Sequence, residues 1–122
     1  MLQEDTCCTL VPYFQVKEGK LDAFKALGPR FVEKTRGEDA VLHYAFSFDG
    51  HTAHCREGYD NAAGVLAHLD NVGDLLAEAL ELSELVRLEV HGPASELDQL
   101  REPLAQLKPQ FFTLEPGGIR RA

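Results

Sequence analysis

The sequence predicts an α+β fold, a single β-sheet with its helices gathered on one face. Three observations carry that expectation. Strand-like and helix-like hydrophobic periods succeed one another in the order β-α-β-β-α-β. Asp49-Gly50, a dipeptide suited to the positive φ angles of a tight hairpin turn, separates two strand-like runs. Residues 84–91 alternate apolar with polar up to a stop at Gly92-Pro93.

Residues 7–16 are apolar, β-branched or aromatic and end at the polar run 17–20, which makes them the first strand. Pro12 within it has no N–H for a ladder, so an edge position or a bulge is expected there. From Lys20 to Arg36 the residues Leu21, Phe24, Leu27, Phe31 and Val32 recur at helical spacing, with Gly28-Pro29 expected to kink or split the helix. Residues 41–48 and 52–59 form the hairpin. Asp60 or Asn61 caps a second helix, whose apolar positions Ala63, Leu66 and Leu69 lead to a break at Asn71-Val72-Gly73. A shorter helix follows at about 74–82, and residues 84–91 are the fourth strand. Ser95-Glu96-Leu97-Asp98 opens a further helix with Leu97, Leu100, Leu104 and Leu107 on one stripe, which Pro103 divides. Gln110 to Leu114 reads as a short last strand before a flexible Pro116-Gly117-Gly118 tail.

This order is that of a split β-α-β, ferredoxin-like sheet with a C-terminal helix and short strand added. Strand parity assigns the faces. Whether the hairpin loop is Asp49-Gly50 or Gly50-His51, Tyr44, Phe46 and Phe48 share a face with Ala53, Cys55 and Glu57. The helix side should therefore collect Leu10, Phe14, Tyr44, Phe46, Phe48, Cys55, Val86, Leu88 and Val90. The other face keeps Thr9, Tyr13, Gln15, His43, Ser47, His54, Arg56, Arg87 and Glu89 among Val11, Ala45 and Leu85. A face of that mixed character is either solvated or the inside of a dimer.

The chain has 122 residues, 44% hydrophobic and 26% charged, the size and balance of one folded domain. No run approaches the roughly 20 apolar residues of a membrane span. Twelve Lys+Arg against twenty Asp+Glu give a net charge of −8, which disfavours nucleic acid and anionic membranes as partners. The first residues carry no basic and apolar leader pattern, so a cytoplasmic location is expected. Three cysteines, Cys7, Cys8 and Cys55, are too few for a disulfide framework and lack zinc-site spacing.

The segment Cys55-Arg56-Glu57-Gly58-Tyr59-Asp60-Asn61-Ala62-Ala63-Gly64-Val65-Leu66-Ala67-His68 resembles the antibiotic biosynthesis monooxygenase-like family. There a strand ends in Glu-x-aromatic and a helix follows with an Ala-His pair, and Glu57, Tyr59, Ala67 and His68 fall on that pattern. The element order agrees over about residues 7–92, while 93–122 extend past the usual module within a single domain 1–122. The resemblance implies a homodimeric α+β barrel, two sheets face to face with helices outside, and a ligand cleft in each protomer between helices and sheet. Its function classes include cofactor-independent oxygenases of aromatic polyketides, haem-degrading enzymes, and enzymes of small carbonyl signals. The haem-degrading members use a strand-one Asn and a Trp where Tyr59 stands, and this chain has neither, which argues against haem degradation.

The resemblance thus implies a cofactor-independent monooxygenase acting on a small aromatic or enolisable compound, with no cofactor and no metal. The alternative is a non-catalytic ligand-binding or interaction module on the same fold. His68 in an apolar cleft would be the base or orienting group, and Tyr59 the hydrogen-bond donor, in a cleft formed by Tyr44, Phe46, Phe48, Cys55 and Glu57. Glu57 on the inward face would be an acid of raised pKa, or pair with an Arg, or cap the next helix. Cys55 reads as a buried structural thiol, because alternation turns His54 and Arg56 away from it. On the opposite face, His43, His54, Arg56, Arg87 and Glu89 would form a polar dimer seam. A metal site from His43, His54, His91 and Glu89 is the competing reading of that face.

Overall fold

The computed structural model describes residues 1–122. The elements in chain order are β1 (Leu2–Glu4), β2 (Cys8–Val16), α1 (Leu21–Thr35), β3 (Val41–Asp49), β4 (Thr52–Tyr59), α2 (Ala62–Asn71), α3 (Gly73–Leu82), β5 (Ser83–Gly92), α4 (Ala94–Leu100), a 3-10 turn (Ala105–Leu107), β6 (Gln110–Thr113) and β7 (Ile119–Arg121). Strands β3-β4-β2-β5-β6 form one sheet in that spatial order. The first four pair antiparallel, which is the ferredoxin-like arrangement, and β6 is added parallel to β5. No helix is long and apolar enough to cross a membrane.

Alternation in β2 buries Cys8, Leu10, Pro12, Phe14 and Val16. The helices cover this face, and the core falls into two adjoining clusters. One gathers Leu10, Tyr59, Val65, Val90, Leu97, Leu100 and Leu104, and the other gathers Phe14, Phe24, Leu27, Phe31, Val72 and Leu75. Residues beyond Gly92 are integral to the first cluster, because Leu97, Leu100 and Leu104 are fully buried. Glu96 ties that segment to the core by accepting a hydrogen bond from the Ala62 N–H at the start of α2, 2.8 Å away. Asn61 caps the same helix end through Oδ1, which accepts from the Gly64 N–H at 2.9 Å.

The hairpin pairs as parity requires, with Tyr44 opposite Glu57, Phe46 opposite Cys55 and Phe48 opposite Ala53. Asp49 pairs with Thr52, so the loop is Gly50-His51, with Gly50 at φ 58°. Four expectations are corrected. Gly28-Pro29 does not split α1, because Phe24, Leu27, Phe31 and Thr35 stay buried on both sides of an exposed Pro29. Pro12 is not at an edge but in the central strand, where the β2–β4 pairing skips Val11 and Pro12 and the register to β5 shifts between Tyr13 and Phe14. That bulge inverts the start of β5: Phe14 pairs with Leu85 and Tyr13 with Arg87, so Leu85 turns inward and Val86 is 55% exposed. The tail is not loose, since it turns at Gly117, φ 94°, and β7 then pairs with β1 in a two-stranded ribbon.

Gly64 marks the closest approach of α2 to the chain before β3. A Cβ there would lie 2.7 Å from the Ala40 Cβ. Gly→Ala inside a helix ordinarily gains up to about 1 kcal/mol. Here Gly64→Ala should instead lose about 1–3 kcal/mol through overpacking, read as a lower urea midpoint at unchanged slope.

Candidate functional site

Strand parity and one helical turn assemble the site. Glu57 and Tyr59 lie two apart on the inward face of β4, and the Tyr59 hydroxyl donates to Glu57 Oε1 at 2.7 Å. His68 stands above them from α2, its Nε2 3.5 Å from Glu57 Oε1. Its ring lies 5.0 Å from that of Tyr44 and 5.2 Å from that of Tyr59, so the imidazole is clamped between two phenols. On the far side, His68 Nδ1 donates to Glu38 Oε2 at 2.9 Å. Asn71 holds the same oxygen at 2.8 Å and also donates to the Lys34 carbonyl at 2.9 Å, fixing the Glu38 carboxyl against the end of α1.

A neutral imidazole that donates from Nδ1 leaves its lone pair on Nε2, directed toward Glu57. His68 is 2% exposed and Glu57 6% exposed. Burial lowers the pKa of His68, partly countered by its hydrogen bond and charge interaction with Glu38. Burial raises Glu57 to about 8, against the lowering effect of hydrogen bonds from Tyr59 and Cys55 and with a smaller push from the Glu38 charge. Near neutral pH the pair is thus a protonated carboxyl facing a neutral imidazole. Such an arrangement can give a proton at one atom and take one at another.

These groups face a largely apolar cavity with a free volume of about 50 Å³. Tyr44, Phe46, Cys55, Glu57 and His68 are in its wall, joined by residues such as Phe31, Leu69, Leu88 and Leu107. Phe48, expected in the wall, packs instead against Phe24 and under Lys25, outside it. Tyr59 is fully buried with its hydroxyl committed to Glu57, so it holds the carboxyl rather than reaching into the cavity. Glu57 neither pairs with an arginine nor caps α2; Glu96 and Asn61 do the capping. Burial, then the Glu57 charge, pushes the Cys55 thiol well up, which leaves it protonated and a poor nucleophile.

The remaining polar residues lie on the uncovered face. His43 lies over Gly58, where a Cβ would be 2.5 Å from His43 Nε2. His54 stacks on Tyr13 at 4.6 Å and donates from Nδ1 to the Pro12 carbonyl at 2.8 Å. Arg56 is exposed. Glu89 accepts from Arg87 at 2.6 Å and from His91 at 2.9 Å, contacts that hold its carboxyl below the usual range. His91 meets Glu89, but His43 and His54 do not join them, and no three His, Cys, Asp or Glu side chains come together as a ligand set. Glu38 and Asn71 escaped the sequence reading. They sit in a turn and a helix break, 30 or more residues from the groups they contact or at the far end of α2, and no local pattern marks them.

Glu57 is easier to protonate folded than unfolded. Between its ordinary 4.5 and about 8 the folded state keeps a proton that the unfolded chain has released. Stability from this source is therefore complete below 4.5 and is lost as pH rises toward 8. Glu57→Gln should remove that decline, so that its stability relative to the parent rises with pH by up to about 1.4 kcal/mol per unit. Urea midpoints of both proteins at pH 5, 6, 7 and 8 check this, and parallel curves would refute it.

The chain matches no protein-family model and no curated protein. Among solved structures, candidate antibiotic biosynthesis monooxygenases from Nitrosomonas europaea and Chloroflexus aurantiacus share the fold, with TM-scores of 0.65 and 0.60 at 15% and 21% identity. Each match covers 73% of this chain, and 91% and 94% of the respective neighbour, and at such identities it speaks for fold alone. MupZ from Pseudomonas fluorescens is similar at another level, with a TM-score of 0.87 and 52% identity over 91% of this chain and 92% of that one. On that identity and mutual coverage the chain belongs to the family of MupZ, built on the antibiotic biosynthesis monooxygenase-like fold.

Proposed function

We propose that the protein is an enzyme that works by acid–base catalysis, without a cofactor, on a small, neutral, oxygen-bearing molecule held in the apolar cavity. The observation that carries this reading is the buried pair of Glu57 and His68 at the cavity wall, Oε1 3.5 Å from Nε2, in surroundings where burial favours the protonated carboxyl and the neutral imidazole. His68 takes a proton from a carbon next to a carbonyl, or from a hydroxyl. Glu57, held by Tyr59, donates to the oxygen on which negative charge develops. The imidazolium forms against the Glu38 carboxyl, 2.9 Å from Nδ1, which offsets the charge that burial disfavours. General acid–base groups of this kind contribute about 10²–10⁴-fold each.

On an enolisable substrate the same step yields an enolate when Glu57 keeps its proton and only hydrogen-bonds the oxygen. An enolate can pass electrons to O₂ directly, so a cofactor-independent monooxygenation is the finer form of this proposal. In it a CH₂ group becomes C=O, one oxygen atom enters the product, and the substrate supplies both electrons that reduce the other atom to water. The second reading, a binding module without turnover, draws on the small free volume of about 50 Å³.

The partner proposed for the uncovered sheet face is a second copy of the chain. Val86 stands exposed at the β5 bulge opposite Tyr13 and Phe14, and Arg56 and the Arg87–Glu89 pair offer both signs of charge to a symmetric mate.

Exchange of α-hydrogens for deuterium in neutral ketones, followed by mass spectrometry with O₂ uptake in parallel, tests the catalytic reading. His68→Ala should lower exchange at least about 100-fold. The parent rate should be bell-shaped in pH, falling above about 8 as Glu57 ionises and falling on the acid side as His68 protonates. Glu57→Gln should lack the alkaline limb. Saturable ketone binding with neither exchange nor O₂ uptake would favour the binding module. For the dimer, Val86→Asp should convert a two-chain species to one chain in sedimentation; a parent that already sediments as one chain would refute it.

A further inference from the structure

The cavity wall at β3 and β4 holds one more oxygen than the acid–base pair uses. Tyr44 is the register partner of Glu57 across the β3–β4 ladder, so the two side chains stand together on the inward face, roughly 5 Å apart at Cβ. Both line the cavity, and the Tyr44 ring lies 5.0 Å from that of His68. The Cys55 thiol borders both the Tyr44 hydroxyl and the Glu57 carboxyl, which brings those two groups to one sulfur atom.

The two phenols of the site are not equivalent. The Tyr59 hydroxyl is spent on Glu57 Oε1. The Tyr44 hydroxyl meets Thr35 on its helix side, yet Thr35 Oγ1 is buried without a hydrogen-bond partner, so the Tyr44 O–H is not spent there. Buried phenols ordinarily find an oxygen, and one left to a thiol is a donor still to be used. Burial above all pushes the Tyr44 phenol well above its usual range, so it donates a hydrogen bond without giving up its proton.

No Lys or Arg lines the cavity, so the polar wall consists of neutral O–H and S–H donors and one base. That set suits an oxygen with lone pairs and no proton, which gains charge as a neighbouring carbon loses a proton. A carbonyl oxygen has these properties. A hydroxyl brings a proton of its own, and a carboxylate arrives already charged with no cation to meet it.

We infer that Tyr44 is a catalytic residue, the second donor with Glu57 of an oxyanion hole, and that the substrate is a neutral carbonyl compound whose oxygen accepts from both. As His68 Nε2 takes the α-proton, the C–H electron pair becomes the C=C bond and the carbonyl π pair moves onto oxygen. Tyr44 and Glu57 share that charge through two hydrogen bonds and keep their protons. Sharing it lets Glu57 hold its proton against the more basic enolate. The base in this step rests on the acid–base reading above; the donor rests on the cavity wall.

Nuclear magnetic resonance of butan-2-one labelled with carbon-13 at the carbonyl tests the donor, with α-hydrogen exchange measured on the same variants. Tyr44→Phe keeps the ring against His68 and Phe46, so it should fold. It should lower kcat for exchange about 100-fold or more, with KM little changed, as for a contact made in the transition state. The bound carbonyl signal should move upfield of its position in the parent, because one polarising donor is gone. The alkaline limb near about 8 should remain, because Glu57 is intact. Tyr59→Phe should act differently: it removes a hydrogen bond that holds Glu57 down, so it should move that limb to higher pH. A carbonyl signal unmoved by Tyr44→Phe, or exchange that survives in it at the parent rate, overturns the inference. A parent that exchanges no hydrogen, yet whose bound carbonyl signal depends on Tyr44, refutes the base and leaves the donor standing. A parent that takes up no ketone refutes both.

Discussion

The arrangement of the site turns on burying one carboxyl, that of Glu57, beside one imidazole. A carboxylate in that position without compensation would cost several kcal/mol. Instead the group keeps its proton, takes a hydrogen bond from Tyr59 and faces a lone pair on His68. Each neighbour is in turn constrained. Tyr59 must remain fully buried, His68 must donate away from Glu57, and Glu38 must be held by Asn71 to receive that donation. Five side chains from three segments are thereby locked into one chain of polar contacts within an apolar shell.

That shell decides the electrostatics. Two carboxyl groups flank the histidine, yet they differ in what they accept. Glu38 Oε2 receives two N–H donors, from His68 and Asn71, whereas Glu57 receives one phenol and loses its contact with water. The hydrocarbon packing that makes the fold stable is the same packing that gives Glu57 its proton, so stability and chemistry are coupled through desolvation.

Much of this was legible in the sequence because β-structure has a rigid period. Parity across the Asp49-Gly50 turn placed Tyr44, Phe46, Cys55 and Glu57 on the helix side, and the helical run to His68 put the imidazole above them. Parity failed at Val86, where the bulge opposite Tyr13 and Phe14 adds a residue and exchanges it with Leu85. Pro12 signalled an irregularity, but on its own strand, and sequence has no rule for which neighbour absorbs it. Phe48 and Tyr59 had the right face and the wrong depth, since a period gives direction and not distance. Glu38 was invisible because a turn residue acquires meaning only when a helix from elsewhere is laid across it.

The gap in the ladder beside Pro12 also sets how the sheet deforms. Hydrogen bonds hold β2 to β4 above and below Val11 and Pro12 but not across them, and this interval lies in the cavity floor. On its other side β2 stays in register with β5 across the same two residues, so the central strand is held to one neighbour only where it passes under the cavity. A side chain chosen for its fixed backbone angle thus leaves one stretch of the sheet with half its usual ladder.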